Sequence, residues 1–185
     1  AVAVFSLVLW AFLSLIGAVA PIMAAELGAR APALRPVRRA MRMALWLAVG
    51  LGLIGTLFCA LAVPLMRATG QDPAITALAG DYMDILALSL VPMLVAGALR
   101  QFVATLGRPV IATAITAAAI GINALGNWVF IFGKFGMPAM GLEGAAWATF
   151  ATSLATVALY AAAIATDRRL SRYRIFGRLW RPDPA

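Results

Sequence analysis

Apolar residues fall into five long stretches separated by short polar ones. Ala1 to Ala25, Met43 to Met66, Pro109 to Gly133 and Gly144 to Thr166 carry no charge, and Ala77 to Leu99 carries only Asp81 and Asp84. A membrane helix needs about 20 apolar residues to cross a hydrocarbon core about 30 Å thick. Each stretch meets that length. Short segments of alternating polarity, the mark of a membrane barrel, are missing. In lipid a helix satisfies its own backbone hydrogen bonds. The pattern therefore predicts five transmembrane helices at about 1–25, 43–66, 77–99, 109–133 and 144–166, an all-α polytopic membrane bundle. "LGARAPALRPVRRAMR", "RATGQDPAITA", "LGRP" and "GKFGMPAMGLEG" connect them, and residues 167–185, "…DRRLSRYRIFGRLWRPDPA", follow as a basic tail.

Composition agrees. The chain has 185 residues, 64% hydrophobic and 12% charged, with mean hydropathy +0.96. Soluble domains average about 45–50% apolar and about 25% charged, and one this long could not hide so much apolar surface. The opening run lacks a basic leader and is too long for a signal peptide's apolar region. It starts at Ala1 within an apolar run, so the sequence reads as a piece of a longer protein.

The net charge of +8 has a topological explanation. Arg30, Arg35, Arg38, Arg39 and Arg42 flank the first connection, and Arg100 and Arg108 the third. Arg168, Arg169, Arg172, Arg174, Arg178 and Arg181 lie in the tail, against Arg67 and Lys134 on the other side. Basic residues in short loops mark the cytoplasmic side, so the arginine-rich loops and tail are expected there. Juxtamembrane arginines beside anionic lipid explain the charge without a nucleic-acid partner.

Chemistry is scarce. No histidine exists, the lone Cys59 lies in an apolar run, and no phosphate-binding GxxxxGK[ST] segment is present. No enzyme activity, cofactor or structural metal is expected. The exception is "GINALGNWVFIFG", whose Asn123 and Asn127 lie about 3 Å and about 9 Å past the middle of the fourth span. Four residues apart, they share a helix face, which Thr116 extends. Such amides either bond helix to helix or line an ion path. The pattern alone does not separate the two.

"VAPIMAAELGARA", "PLMRATGQDP", "YMDILALSLVPMLVAGALRQFVATLGRP" and "NALGNWVFIFGKFGMPAMGLEGAAWAT" resemble successive helices and loops of the MATE (multidrug and toxic compound extrusion) transporters, most like the bacterial NorM-type branch. The resemblance covers almost the whole chain. It implies half of a two-lobed, twelve-helix transporter: residues 1–166 would be helices two to six of the N-terminal lobe, and 167–185 the cytoplasmic linker between lobes. Helix one and the C-terminal lobe would then be missing partners. It further implies a multi-pass protein of the bacterial inner membrane that exports small cationic amphipathic drugs against Na⁺ or H⁺, by alternating access. Carried over residue by residue, the family's cation site falls on Asn123, Asn127 and Thr149, with its acid on the absent helix one. Ala25 departs from the glutamine common at that position.

Two other functions remain in view: a lipid-linked oligosaccharide flippase of the wider superfamily, and a non-transporting membrane scaffold. A flippase calls for a basic cavity. With Arg100 read as lying at the inner edge, the cavity is not expected to be basic. Asp81 and Asp84 are read as interfacial acids near a helix start, as is Glu143. Pro92 and Pro21 predict kinks. Trp46, Trp128 and Trp180 are read as interface markers, with Trp128 deep enough to face a cavity.

Overall fold

The computed structural model describes residues 2–29, 34–61, 64, 70 and 73–177. Its helices are α1 (Val2–Gly17), α2 (Val19–Ala29), α3 (Leu34–Ala60), α4 (Pro73–Leu88), α5 (Leu90–Thr105), α6 (Pro109–Phe132) and α7 (Gly141–Thr166), with a 3-10 turn at Ser171–Tyr173. They make five helical spans long and apolar enough to cross a membrane: Phe5–Ala29, Leu34–Ala60, Ala79–Thr105, Pro109–Phe132 and Gly141–Thr166.

Two spans are broken where the prolines predict. A proline lacks the N–H that the carbonyl four residues earlier would receive. Pro21 thus leaves the Gly17 carbonyl free, and α1 gives way to α2 at Ala18. Pro92 does the same to Leu88, and α4 gives way to α5 at Ser89. There the Ser89 N–H turns back to the Leu86 carbonyl at 2.9 Å. The Thr56 hydroxyl of α3 braces the bend, 2.9 Å from both the Gly52 and Ala87 carbonyls.

The α4–α5 span is the centre of the bundle. Leu90, Leu94, Leu99, Phe102 and Val103 are fully buried, and α5 packs on all the other helices named above. α3 lies close against it: a Cβ on Gly52 would lie 2.8 Å from Val91 Cα. Trp10, Leu53, Leu57, Val110 and Leu125 face outward and are largely exposed, as expected where the solvent is lipid.

α6 and α7 form an antiparallel hairpin. Pro109 starts α6, where its missing N–H costs nothing. Gly133 ends it at φ 64°, and Lys134 N–H closes on the Val129 carbonyl at 3.0 Å. Only glycine fits there, because a Cβ would lie 2.6 Å from Ala139 N.

Several boundaries differ from the sequence expectation. α3 begins at Leu34, so Arg35, Arg38, Arg39 and Arg42 lie on helix and not in the connection. The buried series Val37, Met41, Ala44, Ala48 carries its core face back through them. α4 begins at Pro73 with no acid in its first turn. Asp81 and Asp84 are therefore too far along to gain from the helix dipole, which fades within one turn. Glu143 does lie in the first turn of α7. The tail is not free along its length: Leu170 and Ile175 are fully buried, and Tyr173 meets Phe102 edge-to-face at 5.7 Å. Arg30, Arg67, Asp72, Arg178, Trp180 and Arg181 lie outside the described residues.

Basic residues from α3, the α5–α6 connection and the tail gather at one end of the bundle. The Arg42 guanidinium donates to the Gly177 carbonyl, and Arg108 pairs with Asp167 at 3.1 Å. Partial burial pulls the Asp167 carboxyl upward. The N–H groups of Arg169 and Leu170, with the Arg108 and Arg169 charges, outweigh it and hold the group below its usual value.

Candidate cation site and adjoining cavity

The amide pair lies in the seam between α6 and α7. The two helices meet closely there because small residues face each other: a Cβ on Gly126 would lie 3.1 Å from Ala148 Cβ. Asn127 Nδ2 donates to Asn123 Oδ1 at 3.0 Å. Asn123 Nδ2 in turn reaches Thr152 Oγ1 at 3.4 Å. Thr152 Oγ1 donates to the Ala148 carbonyl at 2.7 Å.

This chain has one permitted direction. A carbonyl only accepts, so Thr152 spends its hydrogen on Ala148 and can offer Asn123 only a lone pair. Asn123 must then present Nδ2 to Thr152 and Oδ1 to Asn127. Asn127 must present Nδ2 to Asn123. What remains is Asn127 Oδ1, which is buried and has no hydrogen-bond partner among the described residues. A buried acceptor in that condition costs about 1–3 kcal/mol unless something fills it.

Thr149 behaves differently from Thr152. Its hydroxyl donates to the Ala145 carbonyl of its own helix at 3.0 Å, and among the described residues it has no hydrogen bond to either amide. The hydroxyl joined to the pair is that of Thr152, one turn on, which the sequence reading did not select. Among the described residues no cluster of three or more Asp, Glu, Cys or His could hold a metal ion. Cys59 is buried and free.

Further along the same seam lies a cavity of about 430 Å³ between α1, α5, α6 and α7. Thr116 and Thr156 are among its lining residues, Leu13, Ile16 and Met93 give it an apolar wall, and the largely exposed Trp10 borders it. Arg100 borders it from α5, with Met93, Ala96 and Gly97, and is itself exposed; it is the one basic residue among the lining residues. Trp128 is not part of the lining. It is about half exposed and pairs edge-to-face with Phe135 at 5.9 Å.

Five helical spans long and apolar enough to cross a membrane define a multi-pass helical membrane protein. Residues 1–129 match the MatE family model. The chain belongs to the MatE family, the MATE transporters it resembles. It is 39% identical over 171 residues to the "Probable multidrug resistance protein NorM" of Mesorhizobium japonicum, covering 92% of this chain and 37% of that protein. The protein of the same name from Rhodopseudomonas palustris is 42% identical, with 92% and 36% covered. The Brucella suis protein of that name is 38% identical over 173 residues. The chain thus spans about a third of the length of the curated relatives it matches. In fold it is similar to a multidrug resistance MATE family transporter of the MOP superfamily solved in an inward-facing conformation. The TM-score is 0.76 at 21% identity, over 90% of this chain and 36% of that one.

Proposed function

We propose that this chain is part of a secondary active multidrug exporter, which moves cationic amphipathic compounds outward in exchange for Na⁺ or H⁺. The observation that carries the reading is the orphaned Asn127 Oδ1, the one end of a hydrogen-bond chain whose direction is forced. Amide oxygens are hard ligands suited to a small cation. A neutral amide does not titrate, so the charge that balances the ion comes from an acid of the longer protein, on the helix that the resemblance places before this chain. Asn123 and Thr152 hold Asn127 in register. Thr149 is an additional oxygen on the same helix. The site works within two lobes that alternate access, in the bacterial inner membrane, with the arginine-rich end of the bundle in the cytoplasm.

The test is ethidium efflux from drug-sensitive bacteria expressing the full-length protein, wild type against Asn127→Leu at matched membrane levels. Loss of efflux with normal insertion supports the ion site. Unchanged efflux returns the pair to a helix-packing role.

A further inference from the structure

The chain keeps its hold on the bundle after α7 ends. Asp167 stops that helix in an extended conformation, and its Oδ1 accepts from the Arg169 and Leu170 N–H groups at 2.8 and 3.2 Å. Its Oδ2 pairs with Arg108, in the connection before α6, at 3.1 Å. One 3-10 turn follows, and Arg174 closes it at φ 44°. A left-handed arginine is costly and persists where its surroundings hold it. After that reversal Ile175 is buried, and the Gly177 carbonyl accepts from the Arg42 guanidinium of α3.

Between those two ends the segment crosses α5. Leu170 and Ile175 are fully buried and join the hydrophobic core. Tyr173 meets Phe102 of α5 edge-to-face at 5.7 Å, and Phe102 is itself fully buried. The 3-10 turn packs on both α3 and α7. Those two helices each pack on α5, yet they scarcely meet one another among the described residues. A segment that only led away from the bundle would not be tied down. This one is pinned at its start by Asp167, in its middle by Leu170, Tyr173 and Ile175, and at its far end by Arg42.

We propose that residues 167–177 are a strap that ties α3 to α7 across the end of α5, so that the three helices move as one unit at the arginine-rich end of the bundle. Neither α3 nor α7 then swings there without the other. The assignment rests on packing and not on transport, so it stands or falls apart from the exporter reading. Within that reading, motion at this end belongs to the lobe as a whole and not to single helices.

The test is pulsed electron paramagnetic resonance on the full-length purified protein in lipid nanodiscs, in a Cys59→Ala background. Spin labels at Arg39→Cys on α3 and Ala162→Cys on α7 report across the strap. Labels at Val110→Cys on α6 and Ala162→Cys report on a pair the strap does not join. All three positions are exposed. Tyr173→Ala removes the ring from Phe102, while Tyr173→Phe keeps it. Arg42→Met keeps the apolar stem and removes the donors at the far end. The α3–α7 distance should be narrow in wild type and Tyr173→Phe, and should broaden in Tyr173→Ala and Arg42→Met. The α6–α7 distance should keep its width throughout. Amide exchange over residues 168–177 should quicken by up to about tenfold in Tyr173→Ala, the scale of one aromatic pair. An α3–α7 distance unchanged in both variants overturns the proposal, because the segment then rests on the bundle without tying it. Equal broadening of both distances overturns it too, since that is general loosening. Should Tyr173→Ala fail to insert, Arg42→Met decides alone.

Discussion

Gly144 has no room for a side chain beside Phe130: a Cβ there would lie 2.6 Å from both the carbonyl carbon and oxygen of Phe130. Backbone cannot move aside as a flexible side chain can. Gly144→Ala should therefore cost about 1–3 kcal/mol by overpacking, although alanine is the better helix former. Gly121→Ala, on the same hairpin with nothing within 4 Å, should cost nothing or stabilise. Thermal unfolding in detergent compares the two, and equal melting temperatures would count against the packing of α6 on α7.

Thr152 and Thr149 should separate by substitution. Thr152→Val keeps the shape and leaves Asn123 Nδ2 without its acceptor, whereas Thr149→Val removes a bond to the helix's own backbone. Ethidium efflux by the full-length protein should fall several-fold further in Thr152→Val, since an unpaired buried donor costs about 1–3 kcal/mol. The reverse order would return the ligand role to Thr149, as the family resemblance implies.

The Arg108–Asp167 pair sets a pH dependence. The folded Asp167 carboxyl is held below its unfolded value of about 3.9. A depressed carboxylate contributes stability that is present above the unfolded value and is lost as pH falls through the folded one. The melting-temperature difference between wild type and Asp167→Asn should be constant from neutral pH to about pH 5, then shrink on further acidification. A difference that grew with acid would contradict the pairing.

Thr56→Val should loosen the bend at Ser89. The hydroxyl serves the Ala87 carbonyl at 2.9 Å, and its loss should cost about 1 kcal/mol. Amide exchange should quicken around residues 86–90 and stay unchanged in α6 and α7. Uniform quickening would mean that Thr56 supports the whole bundle.

The spans were legible because continuous apolar runs answer to one physical demand, the thickness of the membrane. Both breaks were legible because proline removes a donor wherever it stands. The start of α3 was not, since Arg35, Arg38, Arg39 and Arg42 end the apolar run even as Val37 and Met41 carry its core face onward. Helix and membrane do not share a boundary there. The amide pair showed in the sequence through its spacing on a single helix. Its partner Thr152 did not, because the meeting of α6 with α7 is set by Gly126 and Ala148, residues without polar groups to advertise it. Arg100 was read by its distance along the chain, while its part in the cavity depends on which way its face of α5 turns.

The bend at Ser89 gives the central span a compliance that the unbroken α3, α6 and α7 lack. The Leu88 carbonyl has no proline N–H to lose, and the buried Ser89 hydroxyl has no partner among the described residues. Flexing there spares the one main-chain bond, from residue 92 to Leu88, that a straight helix would have to break. Force applied to either end of the most enclosed helix in the bundle is therefore absorbed near its middle, as angle and not as rupture.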